Sequence, residues 1–202
     1  VPSEVDFIGA GGNPKAAAGT GQGQFATSAL HRTSQTCVLE MGQTPVVQMV
    51  EERLGDLVGI DLAYLEKLAM VKYDPGQYFK EHHDGEHRPW TVFLYLNNLM
   101  PDDDSGATDF PMLGVRILPR AGCAVLWPNT RRDGSREHRL LHQGLPPRTQ
   151  SKYGVNCFFN KMQMRNVWWS SNSGRRFPRA LRPPDIVSPM LEETAEVPCS
   201  RV

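Results

Sequence analysis

Two histidines and an aspartate have the residue types and spacing of a metal site. His82 and Asp84 are two positions apart, and His142 follows 58 positions later. Two imidazoles and one carboxylate form the facial triad that binds non-haem iron(II), and they leave three coordination positions free for a co-substrate and dioxygen. Lys152, ten residues beyond His142, offers a fixed positive charge for an acidic co-substrate. This combination indicates oxidation chemistry rather than metal storage.

The triplet His82-His83-Asp84 is predicted to end a strand, just before Gly85. In an extended segment, residues i and i+2 point to the same side. His82 and Asp84 can therefore reach one metal ion together, while His83 faces away. An isolated triplet of this kind is more often a solvated turn, so the interpretation depends on the surrounding sequence.

His138 competes with His142 for the distal ligand position. The two are four residues apart, which on a helix would place both rings on one face, as in zinc sites. No Glu lies between them, the flanking segments have strand patterns, and the ten-residue spacing to Lys152 fits His142. We therefore predict His142 as the ligand and His138 as a structural or rim histidine on the same strand face.

The elements that must position these residues are one or two helices followed by short strands. Thr44 and Pro45 give an N-cap and a first helical position, and apolar residues then recur at helical spacing over 45–57. A short second helix is predicted from Asp61. Period-two patterns predict strands over 68–73, 77–82, 90–97, 114–118, 122–127, 138–142 and 152–160.

This order of elements predicts an α+β fold that is mainly β with N-terminal helices. The expected architecture is a double-stranded β-helix (jelly-roll) barrel with the helices packed on one sheet. Residues 1–30 are rich in small and polar residues and are predicted to be a flexible lead-in. Residues 171–202 are predicted to be a disordered tail, which leaves 31–170 as the folded domain.

Composition excludes several classes of function. A chain of 202 residues suits one domain with a proper core. The 22 basic and 22 acidic residues balance, which disfavours nucleic acid or an anionic membrane as partner. No apolar run approaches the ~20 residues that span a bilayer. The four cysteines lack CxxC spacing, so they signal neither a zinc knuckle nor a disulfide framework.

The compartment stays open at this stage. The chain begins with Val1, which is typical of a processed protein or a fragment, so a lost signal peptide is an open alternative. The endoplasmic reticulum and the cytoplasm are both compatible with the sequence.

The stretch from Tyr73 to Asp84 resembles the Y-x-x-G-Q-x-[YF]-x-x-H-x-D signature of the prolyl 4-hydroxylases, which are iron(II)/2-oxoglutarate-dependent dioxygenases. Further matching segments follow in the order found in that family. They are Arg32-Thr-Ser34 upstream, and then Arg88-Pro-Trp-Thr91, Tyr95-Leu-Asn97, Gly106–Pro111, Pro119–Ala124, His142–Pro146 and Lys152-Tyr153. The resemblance covers about residues 32–160.

The chain also departs from the family pattern. Ala107 stands for the second Gly of a turn, and Tyr153 stands for the usual Trp. Asp84 and Arg88 are four positions apart, where many family members have a long loop that folds over the substrate. The short connection predicts a more open substrate groove.

The resemblance implies an enzyme of the procollagen-proline 4-dioxygenase type. Such an enzyme hydroxylates prolyl residues in a protein or peptide and oxidatively decarboxylates 2-oxoglutarate to succinate and CO2. Iron(II) is the implied metal, held by His82, Asp84 and His142. Dioxygen and 2-oxoglutarate are the implied co-substrates, and ascorbate is an implied cofactor.

The remaining site residues follow from the same resemblance. Lys152 is predicted to bind the far carboxylate of 2-oxoglutarate, with the hydroxyls of Tyr73 and Thr108 completing the hydrogen bonding. Arg88 and Phe79 are predicted to bind substrate. For Arg88 the alternative is a surface ion pair with acids near Asp84 or over 102–104, and for Phe79 it is a place in the core.

Two other functions remain open. One keeps the chemistry but acts on another side chain, a small molecule or alkylated nucleic acid, and the balanced charge disfavours the last of these. The other is a catalytically silent jelly roll that holds a metal or recruits partners. The combination of Lys152, Thr108 and Tyr73 argues against a silent module, because a structural site needs no 2-oxoglutarate pocket.

Overall fold

The computed structural model describes residues 31–99 and 106–165. The predicted lead-in and tail, and the acidic run at 102–104, lie outside the described residues. Within the described part of the chain, no helix has the length and apolar character needed to cross a membrane.

Two antiparallel sheets form the framework of the described chain. The larger sheet has the strand order β1 (Gln35–Val38), β2 (Ala69–Tyr73), β9 (Lys152–Phe159), β4 (Trp90–Tyr95) and β7 (Ala124–Pro128). The smaller sheet has the order β3 (Phe79–His82), β8 (His142–Gly144), β5 (Thr108–Phe110) and β6 (Val115–Ile117). Apart from β5 and β6, neighbouring strands within each sheet are far apart in the chain, so the sheets bring distant sequence segments side by side.

One α-helix, α1 (Pro45–Val58), precedes β2 within the described residues. Its N-terminus is capped by the Thr44 side chain, which accepts a hydrogen bond from the Val47 amide, and Pro45 occupies the first turn. Gly59 ends the helix in the left-handed region at φ 70°. The prediction of a helix over 45–57 is therefore confirmed to within one residue. The predicted second helix is a single 3₁₀ turn, Leu62–Tyr64, capped by Asp61.

The core has two layers of apolar side chains. On one side of the larger sheet, Leu54 and Val58 of α1 pack in a cluster that includes Val92 and Phe159. The other cluster joins Phe93 and Tyr95 to side chains of both sheets: Val71, Tyr73, Phe110 and Trp127. Successive residues of β4 therefore enter different clusters, which explains why Trp90–Tyr95 is apolar on both faces.

Several strand predictions need correction. Residues 138–140 form a 3₁₀ turn rather than a strand, because the Glu137 carboxylate accepts from the Arg139 amide and caps that turn; β8 begins only at His142. His138 and His142 therefore do not share a strand face. The short strands β1 and β5 carry no period-two pattern long enough to predict them.

In the described chain Cys37 and Cys157 are free, whereas Cys123 is disulfide-bonded, a pairing that spacing alone did not signal.

Candidate metal centre and the adjoining cationic pocket

His82, Asp84 and His142 meet at one point. Strand β3 pairs with β8 in a register that sets His82 opposite His142, and the two ring centroids are 4.3 Å apart. Asp84 follows two residues after His82, with its Oδ1 3.6 Å from His82 Nε2 and 3.7 Å from His142 Nε2. One ligand atom from each of the three residues lies within 4.8 Å of the others. The side chains therefore face a common position for a cation.

Both imidazoles are oriented by the backbone. Nδ1 of His82 lies 2.8 Å from the Lys80 carbonyl oxygen, and Nδ1 of His142 lies 2.9 Å from the Leu140 carbonyl oxygen. A carbonyl oxygen can only accept, so each Nδ1 carries the proton and each Nε2 presents its lone pair to the common position. Burial lowers the pKa of His142 to about 4, which keeps its imidazole neutral at physiological pH.

The carboxylate of Asp84 is ionised and fixed in orientation. Burial alone would raise its pKa, but the neighbouring His142 and His82, together with the Thr91 hydroxyl, hold the pKa of Asp84 well below its usual range. Thr91 Oγ1 donates to Asp84 Oδ2 at 2.7 Å. Thr91 in turn contacts the buried side chain of Asn129. The contacts of Thr91 with Asp84 and of Asn129 with Thr91 were not predicted from the sequence, although Thr91 lies within a matched motif.

This donor set fits a divalent metal of the iron(II) type. Two neutral imidazole nitrogens and one ionised carboxylate oxygen are the ligands of a facial triad. His138 is exposed on the 3₁₀ turn and lies outside the three-residue cluster. Of the two candidates for the distal position, His142 is the one that the structure brings to the other two residues.

Lys152 lies between the sheets in a pocket of unusual composition. The residue is 2% exposed, and its Nζ lies 3.5 Å from Thr108 Oγ1. The ammonium group also lies 5.2–5.6 Å from the ring centroids of Tyr73, Phe93 and Tyr95. Among the described residues no carboxylate pairs with it, and burial lowers the pKa of Lys152 to about 7. The pocket thus has a buried cation, and the described residues supply no counter-ion for it.

Register places the predicted partners of Lys152 around it. Tyr73 is opposite Lys152 in the β2–β9 pair, and Thr108 is opposite Gly144, two residues after His142 in β8. Thr108 Oγ1 accepts from the Tyr95 hydroxyl at 2.7 Å, a contact that the sequence analysis did not foresee. Burial raises the pKa of Tyr73, so its hydroxyl stays protonated.

Phe79 lies directly beside the metal centre. Its ring stacks on the His82 imidazole with a centroid distance of 3.5 Å and an interplanar angle of 17°. The Arg32 guanidinium lies 4.7 Å from the Phe79 ring centroid, and His31 meets the same ring edge-on. Phe79 is half-buried, so part of it remains open beside a metal-facing imidazole. Its predicted contact with substrate stays a prediction.

Arg88 is held in an ion pair that the sequence analysis did not name. Its guanidinium donates twice to Glu66, at 2.9 and 2.8 Å, and lies 4.0 Å from the ring centroid of Phe158. Among the described residues the partner of Arg88 is thus Glu66 and not an acid near Asp84, and the 102–104 run lies outside the described residues. With several of its donors engaged, the predicted binding of substrate by Arg88 gains no support from this geometry.

The chain is similar in sequence to one group of enzymes. Residues 68–160 match the family model described as the 2OG-Fe(II) oxygenase superfamily. The chain is 31% identical over 144 residues to prolyl 4-hydroxylase subunit alpha-2 of Gallus gallus, covering 67% of this chain and 27% of that protein. It is 33% identical over 130 residues to probable prolyl 4-hydroxylase 11 of Arabidopsis thaliana, covering 61% and 46%. The chain therefore spans less than half the length of either relative.

Solved structures share the fold. A viral collagen prolyl hydroxylase from Paramecium Bursaria Chlorella virus-1, in its 2OG complex, matches with a TM-score of 0.57 at 23% identity, over 63% of this chain and 78% of that one. A Pseudomonas putida prolyl-4-hydroxylase matches with a TM-score of 0.52 at 22% identity, over 65% and 71%. The resemblance to prolyl 4-hydroxylases noted in the motifs is confirmed.

Proposed function

We propose that this chain, which matches the 2OG-Fe(II) oxygenase superfamily over residues 68–160, is an iron(II)- and 2-oxoglutarate-dependent dioxygenase that hydroxylates prolyl residues in a protein or peptide. The prolyl assignment is supported by relatives whose names are those of prolyl 4-hydroxylases. We also infer that the two sheets form a double-stranded β-helix barrel, with α1 packed on the larger sheet.

The observation that carries this proposal is the pairing of two features in one interior. One is the cluster His82, Asp84 and His142, whose ligand atoms converge. The other is Lys152, a buried cation with no carboxylate partner among the described residues. A protein gains nothing from burying an ammonium group without a counter-ion, because desolvation of a charge is unfavourable. A dicarboxylate whose one end reaches the metal and whose other end reaches Lys152 explains both features.

Each residue then has a role that follows from its environment. His82 and His142 present neutral nitrogens, and Asp84 presents an ionised oxygen, to the metal. Lys152, with the Thr108 hydroxyl, binds the far carboxylate of 2-oxoglutarate. The Tyr73 hydroxyl, which also bonds with the side chains of Ser34 and Arg32, completes the same pocket, and the rings of Tyr73, Phe93 and Tyr95 exclude water from it.

Bound iron(II) supplies the activation of dioxygen that couples 2-oxoglutarate decarboxylation to hydroxylation of a C–H bond. The protein contributes a dry interior that protects the reacting groups from solvent. Phe79, stacked on His82, is the wall against which we place the prolyl ring. We propose that ascorbate acts as a reductant that keeps the bound iron in the iron(II) state.

The test is turnover of 2-oxoglutarate in the presence of proline-containing peptides. Purified protein with iron(II), ascorbate and 2-oxoglutarate should release succinate, and a peptide panel should gain one oxygen atom by mass spectrometry. The matched control peptides carry Ala in place of each Pro and should remain unmodified. His142→Ala should abolish both readouts, because it removes one of the two nitrogen ligands.

The same assay separates the alternatives. Succinate release with no modified peptide would favour the same chemistry on a different substrate. Absence of turnover, together with absence of metal-dependent 2-oxoglutarate binding, would instead favour a silent module and refute the proposal.

A further inference from the structure

We propose that Asn129 is a positioning residue, which acts through Thr91 to make Asp84 offer a single oxygen to the metal. This inference rests on the proposed metal site. It concerns four side chains that hydrogen bonds join in series. Trp127, Asn129 and Thr91 lie behind the candidate metal site, and Asp84 is part of that site. The β3–β8 register sets His82 opposite His142, whereas Asp84 lies beyond the end of β3 and is held by its own side-chain contact with Thr91.

The contacts form an unbroken series. Trp127 Nε1 donates to Asn129 Oδ1 at 3.0 Å. Asn129 Nδ2 donates to Thr91 Oγ1 at 2.8 Å, and Thr91 Oγ1 donates to Asp84 Oδ2 at 2.7 Å. Asn129 and Thr91 are both 0% exposed, so water does not compete for these groups.

The direction of every bond follows from the first one. The indole N–H of Trp127 can only donate, so the atom of Asn129 that faces it must be the amide oxygen. The amide nitrogen of Asn129 must then face Thr91, whose oxygen accepts from it. A hydroxyl has one proton, and the remaining partner of Thr91 is the Asp84 carboxylate. The series therefore directs a donor at Asp84 Oδ2.

The chemical consequence concerns the number of open metal positions. With Oδ2 held by Thr91, Oδ1 is the oxygen that lies 3.6–3.7 Å from the two Nε2 atoms. A carboxylate that binds through one oxygen leaves three positions for 2-oxoglutarate and dioxygen, whereas one that binds through both oxygens takes one of these positions. The series thus preserves the open coordination that the proposed reaction requires.

Asn129 also has a contact of a purely structural kind, so the test must separate the two roles. Its Nδ2 also donates to the Arg88 carbonyl oxygen at 2.8 Å. Loss of this side-chain contact would alter stability without involving Thr91. A double-mutant cycle with Thr91 isolates the part that passes through the hydroxyl.

The first experiment compares Thr91→Val, which keeps the side-chain shape without the hydroxyl, with Thr91→Ser, which keeps the hydroxyl. Affinity for Co(II), used as a spectroscopic substitute for iron(II), is measured by equilibrium dialysis and by visible absorption. Loss of such a supporting contact weakens metal binding roughly 10- to 100-fold. We expect that loss and a changed Co(II) spectrum in Thr91→Val, and near-complete recovery of both in Thr91→Ser.

The second experiment places Asn129→Leu in the wild-type and Thr91→Val backgrounds. We expect it to weaken Co(II) binding in the wild-type background and to leave Co(II) affinity unchanged when the hydroxyl is absent. Equal losses in both backgrounds would show a merely structural role and overturn the inference. So would a Thr91→Val protein with wild-type affinity and spectrum. A wild-type protein that binds no divalent metal would refute the proposed function itself.

Discussion

The buried charges at the two ends of the site have opposite surroundings. The metal end is formed by His82, Asp84 and His142, and the cationic end is Lys152 with the side chains around it. At the metal end, the Asp84 carboxylate receives a hydrogen bond from Thr91, and both neighbouring imidazoles are oriented by carbonyl oxygens. At the cationic end, Lys152 faces three aromatic rings and one hydroxyl. The protein orients the three candidate metal ligands through its own contacts, whereas the described residues offer no carboxylate to the Lys152 ammonium group.

The difference bears on how each end of the site would bind its ligand. At the metal end, each of the three side chains already has a hydrogen bond to a protein atom. The cationic end is unfavourable until an anion arrives, because aromatic rings and a hydroxyl replace only part of the hydration of an ammonium group. Binding of an acidic co-substrate therefore removes a penalty that the folded protein carries by itself.

The largest effect is expected at the metal end. Asp84→Asn removes the single negative ligand, so iron(II) affinity should fall by more than the roughly 100-fold that loss of a mere supporting contact costs. Metal content after dialysis, determined by atomic absorption, measures this. His138→Ala is the matched control, since His138 is exposed and outside the cluster. Retention of iron by Asp84→Asn would contradict the assignment of this end.

A second effect should be confined to the cationic end. Lys152→Met keeps much of the side-chain volume but loses the charge-assisted hydrogen bond, which is worth about 1.5–3 kcal/mol, or roughly 10- to 150-fold in affinity. The dissociation constant for 2-oxoglutarate, measured with iron(II) and without dioxygen, should rise by that factor. Iron(II) affinity should not change. Lys67→Met, at an exposed ion pair with Glu40, is the control; equal 2-oxoglutarate affinities in the two variants would refute the role of Lys152.

The pH dependence of binding sharpens the same contrast. Burial lowers the pKa of Lys152 to about 7, so the free pocket loses its positive charge as the pH rises above 7. A bound carboxylate stabilises the charged form and raises that pKa, so affinity for 2-oxoglutarate should fall as pH increases. Linkage predicts a loss of about tenfold per pH unit above 7, up to the pKa of the complex. Titrations from pH 7 to 9 should show this slope in the wild type and a flat profile in Lys152→Met.

The smallest effect is expected from a neutral contact in the same pocket. Thr108→Val removes one hydroxyl near Lys152 Nζ without changing any charge. A neutral hydrogen bond contributes about 0.5–1.5 kcal/mol, so 2-oxoglutarate affinity should fall roughly 2- to 10-fold. A loss as large as that of Lys152→Met would mean that the hydroxyl, and not the ammonium group, dominates recognition at this end. Isothermal titration of both variants side by side decides between these outcomes.

Local sequence patterns were enough to predict much of the secondary structure. The α1 helix was predicted to within a residue, because its cap and its apolar spacing are both local in the chain. The strand over 90–97 was predicted for a similar reason, and the observed strand β4 covers Trp90–Tyr95. The prediction of a strand over 138–140 was wrong, because these residues form a 3₁₀ turn in which the Glu137 carboxylate accepts from the Arg139 amide.

For the candidate site, too, the residue types could be predicted from the sequence, whereas their arrangement in space could not. Residue types and the two-residue spacing of His82 and Asp84 pointed to a metal cluster, and motif spacing pointed to His142 and Lys152. Their convergence depends on strand register: β3 pairs with β8, and β2 pairs with β9. Pairing between strands far apart in sequence follows from packing of the whole core, which no local pattern contains.

Residue types and their order in the chain therefore predict the kinds of chemistry available: imidazole, carboxylate and ammonium groups, in an order shared with a known family. The polar atoms that those groups face are known only from the folded protein. Asn129 behind Thr91, Glu66 opposite Arg88 and the rings around Lys152 lie far from their partners in the chain. The physical reason is that hydrogen bonds and burial depend on distances in space, which are set when two sheets and a helix pack together.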